Sequence, residues 1–170
     1  MEFETLYQDL ANGPAILTSL LAGVSQAEAQ HKPDPGTWSF LEVVCHLYDE
    51  EREDFRVRLD ILLHRPGEAW PPIHPQEWVT ERKYNQRDLA ATLADWKSER
   101  QKSLAWLEGL TSPDWESSAS TPFGTVMKAG DMLAAWVAHD NLHTRQLVEL
   151  RRSRILQVTE PYRLEYAGDW

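Results

Sequence analysis

Apolar residues recur at helical spacing in four long stretches of this chain, with irregular segments rich in proline and tryptophan between the second, third and fourth. In the first stretch, from about Phe3 to Leu21, Leu6, Leu10, Leu17 and Leu21 fall four or seven apart, which puts them on one helical face. Pro14 interrupts the pattern. A proline inside a helix removes a backbone hydrogen bond and crowds the preceding turn, so either a kink or a helix starting at Asn12-Gly13-Pro14 is expected. A breaker-rich loop, His31-Lys32-Pro33-Asp34-Pro35-Gly36-Thr37, follows.

The second stretch has the clearest start. Ser39 followed by Glu42 fits a capping box, so a helix begins near Phe40. Val43, Leu47, Phe55, Leu59, Leu62 and Leu63 carry its apolar face, and Arg65-Pro66-Gly67 ends it. The segment from Arg65 to Asn85 holds Pro66, Pro71, Pro72 and Pro75 with Trp70 and Trp78, and reads as irregular but packed. It is long enough to run back along a helix of about 36 Å and so permits a crossover between parallel helices. A third helix is expected from about Gln86 to Gly109, with Leu89, Leu93, Trp96, Leu104 and Leu107 toward the core. After a second irregular segment, Thr111 to Gly130, with room for a short extended piece, a fourth helix runs from about Asp131 to Arg152 with Asp131 as N-cap. The tail from Ile155 to Trp170 is apolar enough to pack back on the body. No hairpin pattern, internal repeat or low-complexity tract stands out, so the fold class is all-α, a four-helix bundle with long irregular connections, in one domain over residues 1–170.

Composition narrows the function. No stretch approaches the 18 or so apolar residues of a membrane span, and Met1-Glu2-Phe3-Glu4-Thr5 lacks the start of a secretory signal, so a cytoplasmic protein with no membrane partner is expected. One cysteine, Cys45, excludes an internal disulfide framework. The net charge of -10 disfavours nucleic acid as a partner, and the short basic run Arg151-Arg152-Ser153-Arg154 reads as cations complementing a helix C-terminus.

Candidate chemistry rests on histidines. His139 and His143 stand four apart, which on a helix puts both imidazoles on one face within reach of a single metal ion. Chance would supply about 0.2 such pairs in a chain of this composition. His46 lies two turns into the second helix beside Val43 and Leu47, on or near the core stripe. Three imidazoles from two helices would leave a coordination position open, the layout of a catalytic site. A zincin reading of His139-Asp140-Asn141-Leu142-His143 has aspartate in place of the glutamate base and no downstream ligand motif. A di-iron site needs two Glu-x-x-His units on facing helices, and only Glu28-Ala29-Gln30-His31, in a loop region, fits. Cys45 points about 100° away from His46 around the helix and reads as a small core residue. His31, His64 and His74 lie in or beside loops without a supporting pattern. Asp49 and Glu50, one turn after His46, are candidate catalytic carboxylates; Glu42 is occupied by capping, and Gln146 is a candidate partner for the second ring nitrogen of His143.

Trp38-Ser39 with Glu42 before His46-Leu47, followed far downstream by His139-x-x-x-His143 and Arg145-Gln146-Leu147, resembles the DinB/YfiT-like superfamily of metal-dependent enzymes over nearly the whole chain. The resemblance implies an up-down-down-up bundle and a divalent ion such as nickel or zinc held by His46, His139 and His143. It also implies a small-molecule substrate or a low-molecular-weight thiol, in a metal-dependent hydrolase or thiol transferase. A homodimer through exposed helix faces is compatible with it, although the sequence carries no signal of its own for one. The rival reading is a non-enzymatic bundle, metal-binding or stress-related, with a structural or sensing histidine cluster.

Overall fold

A computed structural model of the protein describes residues 2–122 and 124–169; Phe123 in the second irregular segment and Trp170 in the tail lie outside the described residues. Four long helical columns form a bundle. The first is α1 (Phe3–Leu21), followed by a short helix, α2 (Gln26–Gln30). The second joins α3 (Phe40–Glu50) to α4 (Arg56–His64) through a π-helical turn at Glu51–Phe55. After α5 (Pro75–Glu81) and a 3₁₀ turn, α6 (Leu89–Glu108) forms the third column. A hairpin of β1 (Ser118–Ser120) and β2 (Val126–Lys128) then leads into α7 (Ala129–Thr159), the fourth.

The expected capping box is present: Ser39 Oγ accepts from the Glu42 N–H at 3.1 Å, and the Glu42 carboxylate accepts from the Ser39 N–H at 2.9 Å. The same Ser-x-x-Glu device at Ser25 and Glu28 starts α2, which the sequence reading leaves as loop. Pro75 at the first turn starts α5 inside the segment read as irregular. The third helix begins three residues later than expected because Asp88, not Gln86, is the cap, accepting from Ala91 N–H at 2.8 Å. The fourth begins two residues earlier: Asp131 sits inside the first turn and accepts from the Lys128 N–H at 3.0 Å. The extended piece is a two-stranded antiparallel ladder, with Ala119 opposite Met127, a hairpin that the alternation of its residues does not advertise.

Pro14 does not start the first helix but lies inside it, and the helix is continuous from Phe3 to Leu21. The carbonyl it orphans, four residues back at Leu10, accepts instead from Arg100 Nη1 at 3.0 Å. Gly13 gives that guanidinium room, since a Cβ there would stand 3.0 Å from Arg100 Nη1. Gly13→Ala is therefore expected to lower stability in urea denaturation, by about 1–3 kcal/mol of overpacking. At an unobstructed helical glycine the same change would gain about 1 kcal/mol.

Arg100 belongs to a polar belt that divides the core. On one side Leu17, Leu41, Val44, Trp96 and Leu147 are buried together; on the other, Leu10, Leu59, Leu62, Leu107, Leu133 and Trp136. Between them Arg100 is fully buried, with every N–H donor engaged. Nε and Nη2 donate to Glu51 at 2.8 Å each, Nη1 and Nη2 to Asp140 at 2.6 and 3.0 Å, and Nη1 also to Leu10 O. Trp136 Nε1 donates to the same Glu51 carboxylate at 3.1 Å. Burial opposes the guanidinium charge, but Glu51 and Asp140 outweigh it and hold Arg100 above its ordinary value. All four columns thus meet at one ion cluster, and the π-helical turn is where Glu51 reaches it.

Column pairing follows from long-range contacts. Tyr7 hydrogen-bonds Glu108, while Leu10 meets Arg100, so α1 and α6 pair with opposed residue order. Arg151 Nη1 donates to Leu20 O at 2.6 Å, at the end of α1 that lies along α7. The expected packing of the tail does not hold for most of it. The fourth helix extends to Thr159, and beyond it Tyr162 and Tyr166 are exposed. Among the described residues no helix is long and apolar enough to cross a membrane.

Candidate metal centre

His46 on α3 and His139 and His143 on α7 converge at the edge of the polar belt. His139 Nε2 lies 3.1 Å from His46 Nε2 and 3.1 Å from His143 Nε2, and ligating atoms of all three fall within 4.8 Å of one another. The i,i+4 spacing on α7 supplies two of the rings, and the capped start of α3 sets the rotation that turns His46 toward them. His143 Nδ1 donates to Gln146 Oε1 at 2.8 Å, so its Nε2 carries a lone pair aimed at the cluster. Burial pushes His46 down to about 2, with the neighbouring His143 and His139 adding to it. His139 falls to about 3 through burial, His143 and Arg100, and burial lowers His143 against the opposing Gln146 contact. Three neutral imidazoles thus turn nitrogens toward one point. Donors on a tetrahedral ion with bonds of about 2.0–2.1 Å stand about 3.3 Å apart, close to the two 3.1 Å spacings about His139.

Aromatic rings hold the cluster from the sides. Trp38 lies 4.8 Å from the His46 ring and stacks on His143 at 6.2 Å, and Phe55 lies 4.9 Å from His139. One face stays open, to a cleft of about 680 Å³ bounded by Trp38, Phe55, Ile73, Gln76, Leu142 and Gln146, among others. Phe55 comes from the π-helical turn, whose extra residue per turn rotates the following helix relative to an unbroken α-helix.

The two candidate carboxylates part company. Glu50 lines the cleft; its Oε1 lies 3.9 Å from His46 Nδ1, and neither atom has a hydrogen-bond partner. Asp49 is buried on the other side of the helix, accepting from Tyr84 Oη at 2.7 Å and from Arg82 and Arg52 at 2.8 and 2.9 Å, so its role is to tie α3 to the 3₁₀ turn. The expectation for Asp49 is corrected by about 100° of helix rotation, which adjacent residues cannot share. Asp54, absent from the sequence reading, joins Glu50 at the cleft and pairs with Arg58 Nε at 2.7 Å. Burial pushes both carboxyls up, Glu50 further because Asp54 adds to it while Arg58 offsets, so the pair keeps a proton at neutral pH. The Glu50, Asp54, Arg58 spacing of four was the signal available in the sequence.

The remaining candidates fall where their sequence context puts them. Glu42 caps its helix and accepts from Lys32 at 3.0 Å. Cys45 is buried with its Sγ toward Tyr84 O, and burial pushes the thiol up to about 12, unsuited to nucleophilic work. Asp140 belongs to Arg100 and not to the cleft, which removes the base a zincin reading needs. His31, His64 and His74 face Gln157, Asp60 and Glu77 at the surface.

Comparison with known proteins agrees with this geometry. Residues 9–147 match the model of the DinB superfamily, a span that includes all three histidines. The chain belongs to the DinB superfamily. It is 27% identical over 154 residues, 89% of this chain and 86% of the other, to a Bacillus licheniformis protein described as a "putative metal-dependent hydrolase". The fold matches that of YfiT from Bacillus subtilis, a "probable metal-dependent hydrolase with an unusual four-helix bundle topology", with a TM-score of 0.78, 21% identity and coverage of 88% and 85% of the two chains. It also matches a mycothiol-dependent maleylpyruvate isomerase, with a TM-score of 0.65, 16% identity and coverage of 86% and 61%. A DinB-superfamily bundle with a three-histidine cluster supports the binding of a divalent metal.

Proposed function

We propose that His46, His139 and His143 hold one divalent cation, nickel or zinc, with at least one position facing the cleft, and that the protein is a metal-dependent hydrolase or thiol transferase acting on a small molecule. The observation that carries this is the convergence of three uncharged imidazole nitrogens at the floor of an open cleft. Imidazole donors suit both ions. When bound, such a cation supplies Lewis acidity that favours ionisation of a water or thiol at neutral pH. The chain's own residues do the rest. Gln146 fixes the tautomer and aim of His143, and Glu50 is placed to accept from His46 Nδ1–H after a small ring rotation, which would satisfy two buried atoms at once. The proton held between Glu50 and Asp54 is available at the cleft wall to a leaving group, and the emptied pair can then take up the proton released when the next water or thiol ionises. Trp38 and Phe55 limit water around the histidines.

The likeness to a mycothiol-dependent enzyme supports the thiol branch of this reading, and the B. licheniformis and YfiT names the hydrolase branch. The up-down-down-up order, a single domain over 1–170 and a cytoplasmic setting belong to the same proposal. The helix order is supported by Tyr7 meeting Glu108, Arg56 meeting Glu99 and Phe55 stacking on Trp136 while His46 meets His143. The open cleft favours an enzyme over a purely structural cluster, which would be sealed. The test is turnover by metal-loaded protein across low-molecular-weight thiols with electrophiles, and across small esters and amides. Turnover lost on chelation and in His143→Ala is expected; none anywhere in the panel, with metal bound, would favour the non-enzymatic bundle. Gln146→Leu should weaken metal binding about 10–100-fold in chelator competition, since it releases the ring that Gln146 holds.

A further inference from the structure

We infer that the reaction site continues along α7 as a groove whose far end, at Arg154, receives a carboxylate, so that the substrate is an elongated molecule carrying that group about 16 Å from its reacting atom. This deepens the proposed function and rests on the metal centre being the site of reaction. The cleft shares Thr37, Trp38 and Gln146 with a second cavity of about 220 Å³, and that one shares Pro33, Leu150 and Ser153 with a third of about 320 Å³. One wall is a single face of α7: His139, His143, Gln146, Leu150, Ser153 and Gln157 follow at alternating steps of four and three residues. The facing wall comes from α2 and the loop after it, through Glu28, His31, Pro33 and Trp38. At a rise of about 1.5 Å per residue, the eleven steps from His143 to Arg154 set the length at about 16 Å.

A divalent ion at the histidines answers negative charge at the reacting end, and the far end has a cation of its own. Arg154 lines the third cavity and is part-exposed; its Nε donates to Glu28 Oε1 at 2.6 Å, and its two terminal nitrogens make no hydrogen bond among the described residues. Glu28 aims that guanidinium, and its own charge is met. Its other oxygen accepts from the Ser25 N–H at 2.8 Å and the Ser25 O–H at 2.7 Å, and these bonds, with Arg154, hold the carboxyl down to about 2. Glu149, the acidic residue of the middle cavity, pairs with Arg145 at 3.4 Å. Beside Arg154, Gln157 Nε2 donates to His31 Nε2 at 3.3 Å, which leaves the imidazole proton on Nδ1 as a further donor. The free end-on pair of guanidinium N–H groups matches a carboxylate in both geometry and charge. Between the two ends, Thr37, Gln146 and Ser153 alternate with Trp38, Pro33 and Leu150, a lining that suits a neutral, partly polar chain.

The test uses thiols of matched length and different ends. Cobalt(II)-loaded protein is titrated with two tetraethylene-glycol thiols, one ending in a carboxylate and one in a hydroxyl, each long enough to reach Arg154 from the histidines, and the visible spectrum is read. The carboxylate-ended thiol should bind about fivefold or more tightly, the scale of a part-exposed charge pair. Arg154→Gln should erase that advantage and leave the hydroxyl-ended thiol unchanged, which also shows that the variant is folded. Lys102→Gln, which removes the same charge from α6, should alter neither, and 3-mercaptopropionate, too short to span the groove, should not distinguish Arg154→Gln from the native protein. Metal-free protein is titrated in parallel with glutarate, reading the Gln157 side-chain amide by NMR; a shift that vanishes in Arg154→Gln is expected. Equal affinity for the two long thiols, or an advantage that survives in Arg154→Gln, overturns the inference, as does a Gln157 signal that glutarate leaves unmoved into the hundred-millimolar range. Failure to take up cobalt overturns the metal centre instead, and the glutarate titration still decides whether Arg154 receives a carboxylate.

Discussion

Arg100→Met is expected to lower the free energy of unfolding by about 3–5 kcal/mol, measured by urea denaturation followed by circular dichroism. The size follows from what is left behind. Glu51 and Asp140 would lose the cation that joins them, Leu10 O would lose the donor that replaces the missing Pro14 N–H, and all of these are interior groups. Asp140 is already pushed up by burial, with only Arg100 opposing, so removal of that charge drives it toward the protonated form. Replacing the whole ion cluster together, as Glu51→Leu, Arg100→Met and Asp140→Leu, should recover most of the loss, because no charge is then stranded. A cost below about 1 kcal/mol for Arg100→Met would mean that the cluster does not hold the four columns together.

His46→Ala is expected to reduce divalent-metal affinity by on the order of 100-fold or more, read by competition with a chromophoric chelator, with an unchanged far-ultraviolet spectrum. His46 is the sole member of the cluster that α3 contributes; without it the remaining pair on α7 has the weak, local character of any surface His-x-x-x-His. Asp49→Asn is the useful contrast. It lies one turn from the same histidine but faces Tyr84 and Arg82, so it should alter stability and leave metal affinity within about twofold, a change of a few tenths of a kcal/mol.

These contrasts mark how far the sequence could be read. Patterns that are local to one helix were legible: the Ser39 and Glu42 capping box, the His139 and His143 spacing, and the helical periods of the four columns. The capping box at Ser25 and Glu28 was equally local, and only its loop-like surroundings hid it. Choices settled by packing were not legible. Whether Asp49 or Glu50 faces the cleft depends on the rotation of α3 against α7, which the neighbouring column decides. Pro14 reads as a breaker until a residue 86 positions away supplies the donor it lacks, and Arg100 reads as an ordinary helical cation until three other columns close on it. The π-helical turn has no composition of its own; it is a register shift that pays off only when Glu51 meets Arg100 and Phe55 meets His139. The tail misled because apolar residues do not by themselves signal burial; Tyr162 and Tyr166 stay exposed.

The most direct measurement is the metal content, by mass spectrometry, of untagged protein purified without added chelator, for the native sequence and for His139→Ala. About one equivalent of divalent metal in the native protein and less than about a tenth in the variant is the expected result. Equal metal content in the two, or none in either after incubation with nickel and zinc, would contradict the three-histidine centre.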